Sequence, residues 1–127
     1  MKKVILILIF LCPLLFSCVE TDERVKNITV DELKLAIQGN KNIQILDVRT
    51  SKEAENGIIF NAIQISLIDN NFKSKVIESL DNEQPVYVYC RSGNRSKIAA
   101  NILAENGYNV YNVKGGYVQW KKLTGLD

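Results

Sequence analysis

The sequence predicts an α/β domain with a mainly parallel central sheet. Two observations predict it. Short apolar, β-branched and aromatic runs alternate with capped, amphipathic stretches from Ile28 onward, the order that builds parallel strands joined by helical crossovers. The composition, 46% hydrophobic and 24% charged over 127 residues, fits one globular domain and excludes wholesale disorder and collagen-like repeats.

The elements follow in order. Thr29-Val30-Asp31-Glu32 reads as a capping box opening a helix whose apolar face carries Leu33 and Ile37 and which Gly39-Asn40 ends. Ile43 to Leu46 is a short apolar run before Asp47, as a buried strand requires. Thr50-Ser51-Lys52-Glu53 is a second capping box, opening a short helix that stops at Gly57. Ala62 to Leu67 reads as a second short strand. Phe72 to Leu80 reads as a helix with Phe72, Val76 and Leu80 on one face, and Asp81 to Pro85 as a turn. Val86 to Tyr89 is β-branched and aromatic and predicts a central strand. Ser96 to Asn106 predicts a helix with Ile98, Ala99, Ile102 and Leu103 on one side and Gly107 as its C′ residue. Tyr108 to Val113 is the last strand, followed by Gly115-Gly116 and a short amphipathic end around Trp120.

Residues 1–17 read as an address rather than as structure. Met1-Lys2-Lys3 is basic, and Val4 to Phe16 is almost wholly apolar. That run falls short of the roughly 20 residues that span a bilayer as a helix, so it reads as a secretory signal. Leu15-Phe16-Ser17-Cys18 resembles the lipobox of bacterial lipoproteins, where cleavage precedes a cysteine that then carries lipid. Cys12 is a poor rival because Leu11 is too large for the position before the cut. The resemblance implies a protein lipid-anchored through Cys18 in a bacterial cell envelope, facing the periplasm. Residues 18–27 are then the acylated cysteine and a polar tether, Val19 to Asn27, reaching roughly 30 Å when extended. Residues 28–127 are the folded domain.

Removing Lys2 and Lys3 with the signal leaves 14 basic and 14 acidic residues and no formal net charge. No basic field favours nucleic acid. There is no histidine, which excludes histidine metal ligands, a Ser-His or Cys-His pair and a histidine general base. With Cys12 removed and Cys18 acylated, Cys90 is the only free thiol and no internal disulfide can form.

In α/β sheets ligands bind beyond the carboxyl ends of the strands. One strand end here carries unusual chemistry: Cys90-Arg91-Ser92-Gly93-Asn94-Arg95-Ser96, between the Val86–Tyr89 run and a helix. A lone cysteine is more often a small buried hydrophobe than a nucleophile. Here the unpaired amides of a helix N-terminus, its dipole, and Arg91 and Arg95 all favour thiolate. Such surroundings lower a thiol pKa from about 8.5 to between roughly 3.5 and 7.5. The same amides and arginines suit a bound oxyanion.

This loop resembles the active-site loop of the rhodanese family of sulfurtransferases. Asp47-Val48-Arg49 with Glu53 and Gly57, Asn61-Ala62-Ile63, and Gly115-Gly116 with Trp120 match further family features, so the resemblance covers residues 28 to 124. It implies a rhodanese-like three-layer domain with helices on both faces of the sheet. It implies that Cys90 is the catalytic nucleophile, taking sulfane sulfur from a donor such as thiosulfate as a persulfide and passing it to a thiol or cyanide. Arg91, Ser92, Gly93, Asn94, Arg95 and Ser96 would bind substrate: their amides would stabilise the persulfide, Arg95 and Arg91 would meet the donor's oxyanion, and Ser92 and Ser96 would serve as loop and cap residues. Asp47, Arg49 and Glu53 would form a structural polar cluster. No metal or organic cofactor is required. The expected partners are a small sulfur donor, a thiol acceptor and the membrane; a monomer is the default. Two positions depart from the family: Ile58 stands where His is frequent, affecting packing or loop support, and Asn61 replaces a usual Gly, a mild change because Asn tolerates positive φ.

Two rivals remain. Cysteine phosphatases and arsenate reductases use C-x5-R, whereas Cys90 to Arg95 is C-x4-R, a smaller cradle with no acid in the loop to protonate a leaving group. A non-enzymatic rhodanese-like module that binds a partner, carries persulfide or senses oxidants through Cys90 is the rival from another class.

Overall fold

The computed structural model describes residues 23–126. The strands are β1 (Val25–Ile28), β2 (Gln44–Asp47), β3 (Ile63–Gln64), β4 (Val86–Tyr89) and β5 (Val110–Val113). The helices are α1 (Val30–Gly39), α2 (Ser51–Ala54), α3 (Phe72–Ser79), α4 (Asn94–Glu105) and α5 (Gly116–Thr124). The strands form one five-stranded sheet in the order β1-β5-β4-β2-β3, and every pairing is parallel. The β-branched and aromatic run is the central strand, as its residues predict.

The pleat sends alternate side chains to opposite faces, and each face has its own core. Leu46, Val86, Val88 and Val110 pack with Phe72 and Val76 of α3 and with Ala99, Ala100 and Leu103 of α4. Ile45, Tyr89 and Val113 pack with Val30, Leu33 and Ile37 of α1 and with Tyr117 of α5. The result is the three-layer α/β architecture. Covering both faces is what lets a parallel sheet consist of near-continuous apolar runs.

Local signals place the helices. Thr29 accepts from Glu32 N at 3.1 Å at the start of α1. The Thr50–Glu53 box closes in both directions, Glu53 N donating to Thr50 Oγ1 and Thr50 N to Glu53 Oε2.

Four expectations are corrected. Val25 to Asn27, expected as tether, form strand β1, which pairs with β5 from Val25↔Val110 to Ile28↔Val113. The second strand is only Ile63–Gln64, because β3 is an edge that pairs with β2 alone. Helix α4 starts at Asn94, and its buried stripe is Ser96, Ala99, Ala100, Leu103 and Ala104, which leaves Ile98 56% exposed. The positive φ near Asn61 falls on Phe60, at 45°. The signal segment and Cys18 lie outside the described residues.

Candidate active site

Cys90 follows the last residue of β4 and is 1% exposed. The chain then turns sharply, with Gly93 at φ 119° as the residue before α4. A side chain there would be strained, so the turn depends on glycine. Gly93 N–H donates to Cys90 Sγ at 3.1 Å. Ser96, fully buried in the first turn of α4, places its Oγ 3.5 Å from Sγ and donates to Gly93 O at 3.1 Å. Neutral thiol can donate to that hydroxyl; a thiolate would instead accept a hydrogen bond from it.

The other side of the loop is held by α5. Tyr117 N–H donates to Cys90 O at 2.9 Å, and Val118 N–H to Arg91 O at 3.1 Å. These carbonyls cap the free amides of a helix N-terminus. In a trans peptide the N–H points opposite to the C=O, so α5 turns the Arg91 and Ser92 amides away from itself. Gly116, at φ 54°, lies against the Cys90 and Arg91 carbonyls, where a Cβ would collide with both. The Gly115-Gly116 pair thus brings α5 close enough to fix the loop.

Burial alone pushes the Cys90 thiol up, and hydrogen bonds from the Ser96 hydroxyl and from the amides of Ser96, Gly93 and Ser92 more than offset it. The thiol therefore lies below its ordinary range. The loop amides supply hydrogen bonds to the sulfur, and the Arg95 charge interacts favourably with a Cys90 thiolate. Arg95 donates through both terminal nitrogens to Glu53, at 2.7 Å each. Its charge is paired with the Glu53 carboxylate, a partner 42 residues away in the chain. Arg91, Ser92 and Asn94 are exposed, and Gly93 and Arg95 are half-buried.

Behind the loop, Arg49 Nη2 pairs with Asp47 Oδ2 at 2.6 Å and donates to Gly57 O at 2.7 Å. Its guanidinium lies 4.1 Å from the centre of the Tyr117 ring. Tyr89 OH donates to Asp47 Oδ2 at 2.8 Å and accepts from Ile59 N at 2.9 Å. Burial and the Asp47 charge push the Tyr89 phenol up, keeping it a donor. Asp47 and Arg49 thus form the expected polar cluster, which Glu53 joins through its carbonyl, accepting from Arg49 Nη1 at 3.4 Å, while its carboxylate reaches Arg95. Ile58 is 41% exposed and its loop is held by the backbone of Gly57 and Ile59. Sequence inspection missed Tyr89; the signal was its parallel register opposite Asp47.

A profile of the rhodanese-like domain family matches residues 29–123. The Bacillus subtilis protein YtwF is 33% identical over 100 residues, which cover 79% of this chain and 94% of that one. Thiosulfate sulfurtransferase GlpE of Coxiella burnetii is 38% identical over 82 residues, or 64% of this chain and 74% of the relative. The crystal structure of a rhodanese-like domain protein from Staphylococcus aureus superposes with a TM-score of 0.68 at 36% identity, covering 75% of this chain and 90% of that chain.

Proposed function

The chain belongs to the rhodanese-like domain family, its function is of the sulfurtransferase type, and from that premise we propose a persulfide mechanism centred on Cys90. The thiolate attacks the outer sulfur of thiosulfate, the S–S bond breaks, and sulfite leaves with its electron pair. Cys90 is then a persulfide anion. An acceptor thiolate attacks the outer sulfur and leaves as its own persulfide, regenerating the Cys90 thiolate; cyanide leaves as thiocyanate. Each half-reaction is a nucleophilic displacement with balanced charge, so no cofactor is needed and ping-pong kinetics follow.

The observation that carries this reading is the Gly93 amide at 3.1 Å and the Ser96 hydroxyl at 3.5 Å from Sγ, beyond the carboxyl end of the central strand. These donors stabilise a sulfur anion at Cys90 without reorganising. The test is intact-mass spectrometry of the chain from Val19 onward after thiosulfate treatment. The expected result is a gain of one sulfur atom, removed by cyanide and absent in Cys90→Ser. No adduct on folded, reduced protein with any sulfane donor would overturn the mechanism in favour of a binding module.

Cys18 is proposed as the lipid attachment site, holding the domain on a bacterial envelope membrane. Cys18→Ser should leave an uncut or unlipidated precursor. If the mutant is still cleaved and still partitions with membranes, the anchor assignment fails.

A further inference from the structure

A cleft of about 190 Å³ opens beside the Arg91 side of the Cys90 loop, between α2 and α5. That is several times the roughly 30 Å³ a water molecule occupies in the liquid. Four charged groups besides Arg91 and Lys121 meet at or behind its walls, and they cancel. Arg49 is paired with Asp47, and Glu53 with Arg95. Two cations on the lining, Arg91 and Lys121, have no carboxylate partner among the described residues. Lys121 is half-buried, with its Nζ 5.9 Å from the centre of the Tyr117 ring. Arg91 is the neighbour of Cys90, and Val118 of the same cleft hydrogen-bonds the Arg91 carbonyl.

We infer that Lys121 joins Arg91, already expected at the donor's oxyanion, to complete an anion subsite for the charged end of the sulfur substrate, and that Lys121 sets the preference for anionic over neutral substrates. The inference rests on the sulfurtransferase reading and deepens it. A small concavity with two uncompensated cations is complementary to a sulfonate or a carboxylate, the shared chemistry of an inorganic donor and an acidic thiol acceptor. Lys121 supplies the charge that the Glu53 carboxylate withholds by engaging Arg95.

The experiment uses the full chain in detergent, with Lys121→Ala, Lys121→Arg and, as a control, Lys122→Ala on the exposed side of the same helix. Donor and acceptor KM values are separated by ping-pong kinetics with thiosulfate and an anionic thiol. Loss of one charge-assisted contact should raise one KM about tenfold with kcat little changed; Lys121→Arg should restore it and Lys122→Ala should leave it alone. A rise confined to the thiosulfate KM identifies the donor's sulfonate as the ligand, and one confined to the thiol KM identifies the acceptor's carboxylate. Unchanged KM values in Lys121→Ala overturn the inference. A second measurement needs no turnover: Cys90→Ser titrated with sulfate, followed by the backbone amide signals of Arg91 and Val118. Binding that weakens in the added Lys121→Ala background supports the subsite even if sulfur transfer fails. Binding equal in both backgrounds overturns the subsite even if transfer succeeds.

Discussion

Two arginine–carboxylate pairs start from one stretch of chain, Asp47 to Glu53, and they do different work. Asp47–Arg49 joins residues two apart and is almost wholly buried, at 0% and 3% side-chain exposure. Tyr89, the Gly57 carbonyl and the Tyr117 ring complete its shell. Glu53–Arg95 joins residues 42 apart and is about 30% exposed on both sides. The buried pair ties the ends of β2 and β4 to the loop after α2. Its ions have given up hydration, so removing one strands the other. The outer pair spans from α2 to the first turn of α4, where solvent already screens it. The same two functional groups serve as scaffold in one place and as an adjustable brace for the thiol's loop in the other.

Breaking the buried pair should have the largest effect. Arg49→Ala leaves the Asp47 charge without its partner and should cost about 3–5 kcal/mol in a urea titration. A loss below about 1 kcal/mol would place both pairs in the exposed class. Ser96→Ala comes next. It removes a buried hydroxyl at a cost of about 1 kcal/mol, and it should move the pH midpoint of Cys90 alkylation upward, toward an ordinary thiol. Glu53→Gln should cost less than about 1 kcal/mol at neutral pH. It should shift the alkylation midpoint less than Ser96→Ala does, yet slow sulfur transfer by 10-fold or more, on the order of what small misplacements of reacting groups cause. A larger midpoint shift in Glu53→Gln than in Ser96→Ala would make the outer pair the thiol's tuner. The smallest effect is in acid. The Arg95 hydrogen bonds hold the Glu53 carboxyl at about 2 against an ordinary 4.5. Because the folded-state value is depressed, this contribution is complete above about pH 4.5 and fades as pH falls toward 2. The stability of Glu53→Gln should therefore fall less steeply than that of the parent over that window.

The outer pair also marks where inspection of the sequence runs out. The Thr50–Glu53 box was legible because both of its hydrogen bonds are local, three residues apart. The other bonds of the same carboxylate reach Arg95 across 42 residues, and no local pattern encodes that contact. Arg95 therefore read as a free cation. The same limit hid Lys121, which spacing alone does not connect to Cys90. The strand–loop–helix around Cys90 was legible because the apolar run, the glycine and the following helix are contiguous. Strand β1 was not, since Val25–Ile28 carries Lys26 and Asn27 at its centre and pairs only through β5. Hydrophobicity alone groups Ile98 with Ala99, Ile102 and Leu103 on one side of the helix, whereas the buried stripe is set by Ser96 facing the thiol and leaves Ile98 exposed.

Strand β1 has a consequence for orientation. Val25 lies level with Val110, and Val110 with Val86, so the chain enters the sheet at the end where β2, β4 and β5 also begin. Cys90 lies past the opposite end, one four-residue strand further on, or about 13 Å at 3.3 Å per residue. The point where the chain enters the sheet and the sulfur-bearing loop therefore lie at opposite ends of the fold. Whatever holds the chain ahead of β1 can do so without crowding the thiol.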